Sequence, residues 1–362
     1  MDACRRWSWL ACLALALASS GCASLGPWSP LAGTERRSIF QPAKFPAGDW
    51  NPTTVLVQDA SFAAADGTKL HGWYVRHAQP RAHALLLHGN AGNVTLLADT
   101  LRQMAADGVK RALAFVTSGF SSYSSCRQYR ENIAAAQAEV GPAAPVVDKL
   151  RVFFNHPGFI EPMIESTRSA LEQVPIERRA DALLIFSAHS IPLVMAQGCR
   201  YVEQLREACG LVAEGVNSSL SPGERAAVRV NWQLVYQSRS GPPHQPWLEP
   251  DINDFIKQHH AGSTLTDIVV VPIGFISDHM EVLYDLDTEV RQLCDQHGIH
   301  MIRAATVGTH RRFVQMIREL IEERIADSPQ RLALGTMAAG HDICPDDCCT
   351  SPSGRGREES SG

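Results

Sequence analysis

The chain has 362 residues, 45% of them apolar and 20% charged, which exceeds one typical domain and excludes disordered and fibrous classes. Its 33 Lys and Arg against 38 Asp and Glu leave a formal charge of −5; without a basic face, no nucleic-acid partner is expected. Beyond the first 25 residues no stretch reaches the roughly 18–20 apolar residues that cross a bilayer.

Arg5 and Arg6 precede an apolar run from Trp7 to Ala18, a secretory pattern. Ser19-Ser20-Gly21-Cys22 resembles a lipobox, with Ser19 where a larger aliphatic is commoner, which makes Cys22 a candidate lipid-modified membrane tether. An apolar leader from a misassigned start or a gene fusion is the other reading. Residues 1–22 are therefore taken as a leader that suggests export as a lipoprotein, and 23–50, rich in Pro, Gly and Ser, as a linker.

Strands are expected at Thr54 to Gln58, Lys69 to Arg76 and His83 to His88, with Asp66-Gly67 turning between the first two. From Leu96 helix and strand alternate. Helices are expected at Leu97 to Asp107, Glu131 to Glu139, Ile160 to Gln173, Pro192 to Ala208, Met280 to His297 and Thr309 to Ile325. Strands are expected at Arg111 to Thr117, Ala182 to Ser187, Trp232 to Gln237, Asp267 to Ile273 and His300 to Arg303. This order implies an α/β fold with parallel sheets covered on both faces. Residues 351–362 read as a solvated tail.

Leu85-Leu86-Leu87-His88-Gly89-Asn90-Ala91-Gly92-Asn93 is a strand run into a glycine turn. On this string, residues 51–93 resemble the start of an α/β hydrolase, close to lipoprotein-like members. The Gly-x-Ser-x-Gly elbow that supplies the nucleophile is missing from the chain, so a structural strand and turn are expected rather than a serine hydrolase.

Three constellations follow. Phe186-Ser187-Ala188-His189-Ser190-Ile191-Pro192 places an imidazole at the carboxyl end of a strand, where open α/β sheets hold ligands; a hydrogen-bonded structural histidine is the plain alternative. Tyr236-Gln237-Ser238-Arg239-Ser240-Gly241, continued to Pro246-Trp247-Leu248-Glu249-Pro250, alone says only strand and rigid loop. Pro272 to Glu289 runs from a strand through a glycine turn into a helix in which Glu281, Asp285 and Glu289 recur every four residues along one face. Like charges at that spacing repel. They form either a solvated acidic face or a path for protons or a divalent cation.

Together these motifs, in this order and spacing, resemble the ferrochelatase family over about residues 96–350, and Ala112 to Asn132 is similar to its actinobacterial-type branch, whose substrate is coproporphyrin III. The resemblance implies two Rossmann-like, chelatase-type halves. The first is partial, formed by about 94–180 and 310–340; the second spans about 181–309. The family's own opening strand, glycine loop and porphyrin-gripping lip have no counterpart, so the first half is incomplete and is completed or replaced by the short β-rich segment before residue 94. The implied activity is insertion of Fe(II), the metal substrate, into a porphyrin during haem biosynthesis in the cytoplasm, and a porphyrin-binding or inactive chimera is the alternative. His189 matches the family's histidine, as general base or metal-side ligand, and Glu281 its partner carboxylate, the two facing Fe(II). Tyr129 is an implied porphyrin contact, and Asp285 and Glu289 belong to the implied proton or metal path.

The ten cysteines comprise Cys4, Cys12 and Cys22 in the leader, Cys126, Cys199, Cys209 and Cys294 in the body, and Cys344, Cys348 and Cys349 near the end. A crowded tail in a chain of this size reads as a metal or cluster site rather than a disulfide framework. Some ferrochelatases hold a [2Fe–2S] cluster with three late cysteines and one upstream. The resemblance assigns Cys344, Cys348, Cys349 and Cys126 to it; a Cys4 zinc site and free thiols stay open.

Overall fold

The computed structural model describes residues 58–63, 69–74, 83–87, 94–219, 231–241, 244–262 and 265–351. The leader, Cys22, the linker, the Asp66-Gly67 and His88-Gly89 turns and the solvated tail from residue 352 lie outside them. The chain divides into two compact units, 1–61 with 71–76 and 62–70 with 77–362. Strands β1 (Gln58–Ala63) and β2 (Lys69–Tyr74) pair as a two-stranded sheet. Of the first expected strand, Thr54 to Gln58, all but Gln58, which opens β1, lies outside the described residues.

The larger unit carries two parallel sheets. In the first, β3 (His83–Leu87), β4 (Arg111–Val116) and β5 (Val146–Lys149) lie in sequential order. Pairing of β3 with β4 runs from His83 opposite Ala112 to Leu87 opposite Val116, so the segment before residue 94 does supply a strand to this half. The second sheet has the order β7 (Asn231–Gln237), β6 (Leu183–His189), β8 (Asp267–Val271), β9 (His300–Arg303). Continuous apolar runs such as Ile268 to Val271 are what a strand covered on both faces requires. Among the described residues no helix is long and apolar enough to cross a membrane.

Among the described residues the longer helices of this unit are α1 (Val94–Ala106), α2 (Gln128–Val140), α3 (Pro157–Leu171), α4 (Tyr201–Ser219), α5 (Ile252–Gly262), α6 (Met280–Val282, Leu283–Val290 and Arg291–Gln296 without a break) and α7 (Arg311–Ile325). α1 and α2 pack on the first sheet through Leu97, Leu101, Ala114 and Ile133. Between the sheets, α3, α4 and α7 bury Phe159, Met163, Leu205, Phe313 and Met316 against Phe115, Leu184, Phe186 and Val271. On the far face of the second sheet, α5 and α6 bury Ile256, Val282 and Leu286 against Ile185, Val270 and Val235. Alternate residues of β6, Leu184 and Phe186 one way and Ile185 the other, feed the two cores, as the pleat dictates.

Three expectations are revised. The helix Pro192 to Ala208 is broken: a single turn, Leu193–Ala196, precedes α4. At the break a Cβ on Gly198 would lie 3.3 Å from Thr350 Oγ1, so Thr350 packs closely against this turn. β5 and α5 add elements the sequence pattern left unread. β5 is four residues long and half exposed, too short for a periodicity signal. α5 is announced by Asp251, whose Oδ1 accepts from the amides of Asn253 (2.8 Å) and Asp254 (3.3 Å), an N-cap before an i, i+3, i+4 apolar set.

Phe153 anchors the central layer. Its ring stacks on Phe115 at 5.5 Å and meets Phe159 and Phe313 edge-on at 5.7 and 5.8 Å, and it is 1% exposed. Phe153→Ala is expected to cost about 3–5 kcal/mol, read as a lowered midpoint in urea unfolding with an unchanged slope.

Candidate functional site

The order β7-β6-β8-β9 reverses direction beside β6, because the chain passes from β6 to β7 on one side and crosses to β8 on the other. Ligands of open α/β sheets bind in the crevice at the carboxyl ends of such strands. His189 closes β6 and the loop 272–279 leaves β8, so both walls of the crevice carry a motif picked out in the sequence. Gly274 makes their approach close: its amide donates to the Ser187 carbonyl at 3.1 Å, and a Cβ there would sit 2.7 Å from Ala188 Cα. Only glycine fits against that backbone.

This approach starts α6 beside the imidazole. His189 Nε2 lies 3.0 Å from Glu281 Oε1, and the two side chains keep 37% and 38% of their surface exposed, so the pair meets in an opening rather than in a sealed core. His189 Nδ1 lies 2.5 Å from the Ser190 carbonyl. A carbonyl only accepts, so Nδ1 carries a hydrogen and Nε2 is left to face Glu281. The strand end itself is held by the Tyr201 hydroxyl, which donates to the His189 carbonyl at 3.0 Å.

Asp285 is brought into the same array. Its Oδ2 accepts from Gln237 Nε2 at 3.2 Å and from the Ser238 hydroxyl. Gln237 closes the expected strand and Ser238 opens the loop after it, and only the parallel pairing of β7 with β6 sets Gln237 opposite His189. Ser238 has a φ of 61°, a left-handed conformation that only the fold could disclose. Glu289 follows one turn further along α6 and is exposed, so the acidic line runs from the half-buried pair out to solvent. Across Leu283–Val290 the helix is π-wound, a local widening common at functional sites.

Burial lowers the proton affinity of His189, but the hydrogen bond and charge of Glu281, then the Ser190 carbonyl and Asp285, outweigh it and hold its pKa above the ordinary value. Burial pushes Glu281 up, yet bonding to His189 and Ser238 leaves it below the usual carboxylate range. Asp285 is raised by burial, opposed by Ser238, and by the charge of Glu281; Glu289 is raised by residual burial and by Asp285 and Asp251. The carboxylates furthest from the imidazole therefore hold protons more readily than the one beside it.

Tyr129 stands in the first turn of α2, half-buried, its phenol pKa raised by burial. Among the described residues no hydrogen bond or ion pair joins it to His189 or Glu281.

The cysteines form a second locus. A cavity of about 350 Å³ is lined by Cys126, Cys199, Cys344, Cys348 and Cys349 rather than by the histidine and glutamate. Ser122 caps the π-wound turn Tyr123–Arg127 that carries Cys126. Cys126 hydrogen-bonds Cys344, which with the charges of Lys149 and Arg130 outweighs burial and lowers its thiol to about 6. The Cys348 and Cys349 sulfurs are 3.6 Å apart, and Cys349 holds a φ of 55°. The tail is docked by groups other than thiols: Arg127 donates to the carbonyls of Asp346 (2.5 Å) and Cys348 (3.0 Å), Arg130 to that of Cys344 (3.1 Å), and Glu207 accepts from the amides of Thr336 and Met337. Among the described residues no three His, Cys, Asp or Glu side chains are placed to hold a single metal ion.

In the free protein His189 is expected to titrate above the ordinary imidazole value of about 6.5. Stability from the pair is then present below that value and lost as pH rises through the higher folded-state midpoint. Glu281→Gln removes the leading cause that raises it, so burial dominates and the midpoint falls. Nitrogen-15 NMR titration of the imidazole reads both; a midpoint unmoved by the substitution contradicts the pairing.

The chain matches the family model described as Ferrochelatase over residues 80–325, a match that begins ahead of β3 rather than near Leu96. It is 51% identical over 261 residues to a ferrochelatase of Rhodopirellula baltica, covering 72% of this chain and 71% of the relative. It is 45% identical over 278 residues to a coproporphyrin III ferrochelatase of Streptomyces coelicolor, covering 72% of each. The structure of SirB from Bacillus subtilis with Fe3+ aligns with 70% of this chain and 99% of its own, at TM-score 0.44 and 9% identity. With the switch-point crevice in place and both walls carrying their motifs, the chain belongs to the ferrochelatase family.

Proposed function

We propose that the protein inserts Fe(II) into a porphyrin, coproporphyrin III, in haem synthesis. The observation that carries this is the His189–Glu281 contact of 3.0 Å in an opening at the switch point. Metallation removes two pyrrole protons and needs a base whose free form exists near neutral pH, which is the range of imidazole. With Nδ1 committed to the Ser190 carbonyl, Nε2 is the atom that accepts a proton or faces the incoming iron. Glu281 then stabilises the imidazolium, and Asp285 and Glu289 lead the proton outward. Leu193 and Val194, on the single turn that follows His189, and Met280, Leu283 and Tyr284, on α6 with Glu281, are exposed apolar side chains of a kind suited to the flat face of a macrocycle. Tyr129 is the proposed further porphyrin contact.

The thiol cavity fits a [2Fe–2S] cluster. Its sulfurs come as two pairs, Cys126 with Cys344 and Cys348 with Cys349, whereas a zinc ion needs four ligands about one point. These four cysteines would hold it, and it would supply one-electron redox capacity and a covalent pin between the tail and the turn Tyr123–Arg127. All seven cysteines among the described residues are free thiols, which favours the reducing cytoplasm as the compartment.

Anaerobic metallation of coproporphyrin III, followed by loss of free-base fluorescence, is expected for the wild type, with His189→Ala slower by about 10²–10⁴-fold. A wild type no faster than this variant would leave a porphyrin-binding chimera. For the cluster, two irons and two sulfides per chain and visible thiolate-to-iron absorption are expected, and Cys344→Ser is expected to lose both; stoichiometric zinc without sulfide would reverse the assignment.

A further inference from the structure

Glu281 and Asp285 are neighbours on α6 and, when ionised, have no hydrogen to offer each other. On the chelatase reading, we infer that Ser238 is a positioning residue whose hydroxyl joins these two carboxylates into one hydrogen-bonded chain, along which a proton taken from the macrocycle leaves the crevice.

The hydroxyl comes from a different element, the exit of β7, and donates to Asp285 Oδ2 while lying beside Glu281. A serine hydroxyl donates once and accepts at the same time, which neither carboxylate does when ionised. Two costs at adjacent residues support a functional reason for this placement. Ser238 is held at φ 61°, where a glycine would sit without strain. Gln237, 1% exposed, turns its Nε2 to the same Asp285 oxygen and leaves its own Oε1 buried with no partner among the described residues. An unsatisfied buried acceptor is uncommon and calls for a compensating gain. Both costs are spent on aiming β7 at Asp285.

The step balances as a proton transfer. A proton on the Glu281 carboxyl passes to Ser238 Oγ as the serine's own proton passes to Asp285 Oδ2. Two O–H bonds break and two form, no electrons change hands, and the serine is regenerated. Asp285 then hands the proton to Glu289, which is exposed.

Two variants separate the hydroxyl from the backbone. Ser238→Ala removes the hydroxyl and keeps the strained φ; Ser238→Gly removes the hydroxyl and relieves the strain, and carries the test alone if the alanine variant does not fold. In anaerobic metallation, both are expected to lower kcat by about tenfold or more. Porphyrin affinity by fluorescence titration and KM for Fe(II) should stay within about twofold, and the solvent deuterium isotope effect on kcat should rise because proton release becomes slower. A glycine variant with wild-type kcat, a defect confined to KM, or an unchanged isotope effect each overturns the inference. A wild type that metallates nothing overturns it together with the chelatase reading, whereas an active wild type beside an equally active glycine variant overturns the inference alone.

Discussion

The site depends on one steric fact: the exit of β8 lies directly on the end of β6. Gly274 presents bare backbone to Ala188, with its amide bonded to Ser187. That contact sets where α6 begins and hence where Glu281 stands relative to His189. Both strands are buried on two faces by separate cores, so the distance is set by close-packed layers that cannot relax locally. A side chain at Gly274 would push the two walls of the crevice apart, and the imidazole and carboxylate with them.

Around this contact the molecule assembles an array of like charges that would repel if left alone. It is made tolerable by donors drawn from several elements: His189 for Glu281, Gln237 and Ser238 for Asp285, and Arg303, which bonds Asp287 at 2.7 Å and Asp278 at 2.9 Å. The gradient in proton affinity follows from this distribution. The carboxylate beside the imidazole is held below the usual carboxylate range, and burial with neighbouring negative charge holds those further along α6 above it.

The thiol cavity is built on a different principle. Its walls come from the π-wound turn that carries Cys126, from the break before α4 and from the tail, and the tail is seated by hydrogen bonds that use no sulfur. Asn155 Nδ2 donates to the carbonyls of Leu334 and Met337, and Glu207 accepts from two successive amides. The buried Arg151–Glu323 pair, with Arg151 also donating to the Leu332 carbonyl, fixes the start of this strap to α7. The sulfurs are therefore brought to one cavity by hydrogen bonds that use none of them.

The residue pattern by itself determined the alternation of strand and helix, the parallel sheets and the motifs carrying His189 and Glu281, because buried strands and amphipathic helices impose periods that a linear chain displays. The runs Ile268 to Val271 and Leu184 to Phe186 are apolar throughout for that reason. Short or irregular elements escaped: β5 spans too few residues to show a period, α5 was hidden behind a proline-rich loop, and the helix expected over Pro192 to Ala208 is interrupted at a turn packed against Thr350, a neighbour remote in the sequence. The placing of Gln237 and Ser238 beside Asp285, and of Cys199 in the thiol cavity, was likewise unreadable, since a residue at a strand end or in a turn acquires chemistry only from what faces it. Sheet order, the switch point and the left-handed turn at Ser238 were decided by the tertiary structure, because they depend on pairing between segments tens of residues apart, and periodicity along the chain carries no record of which strands become neighbours.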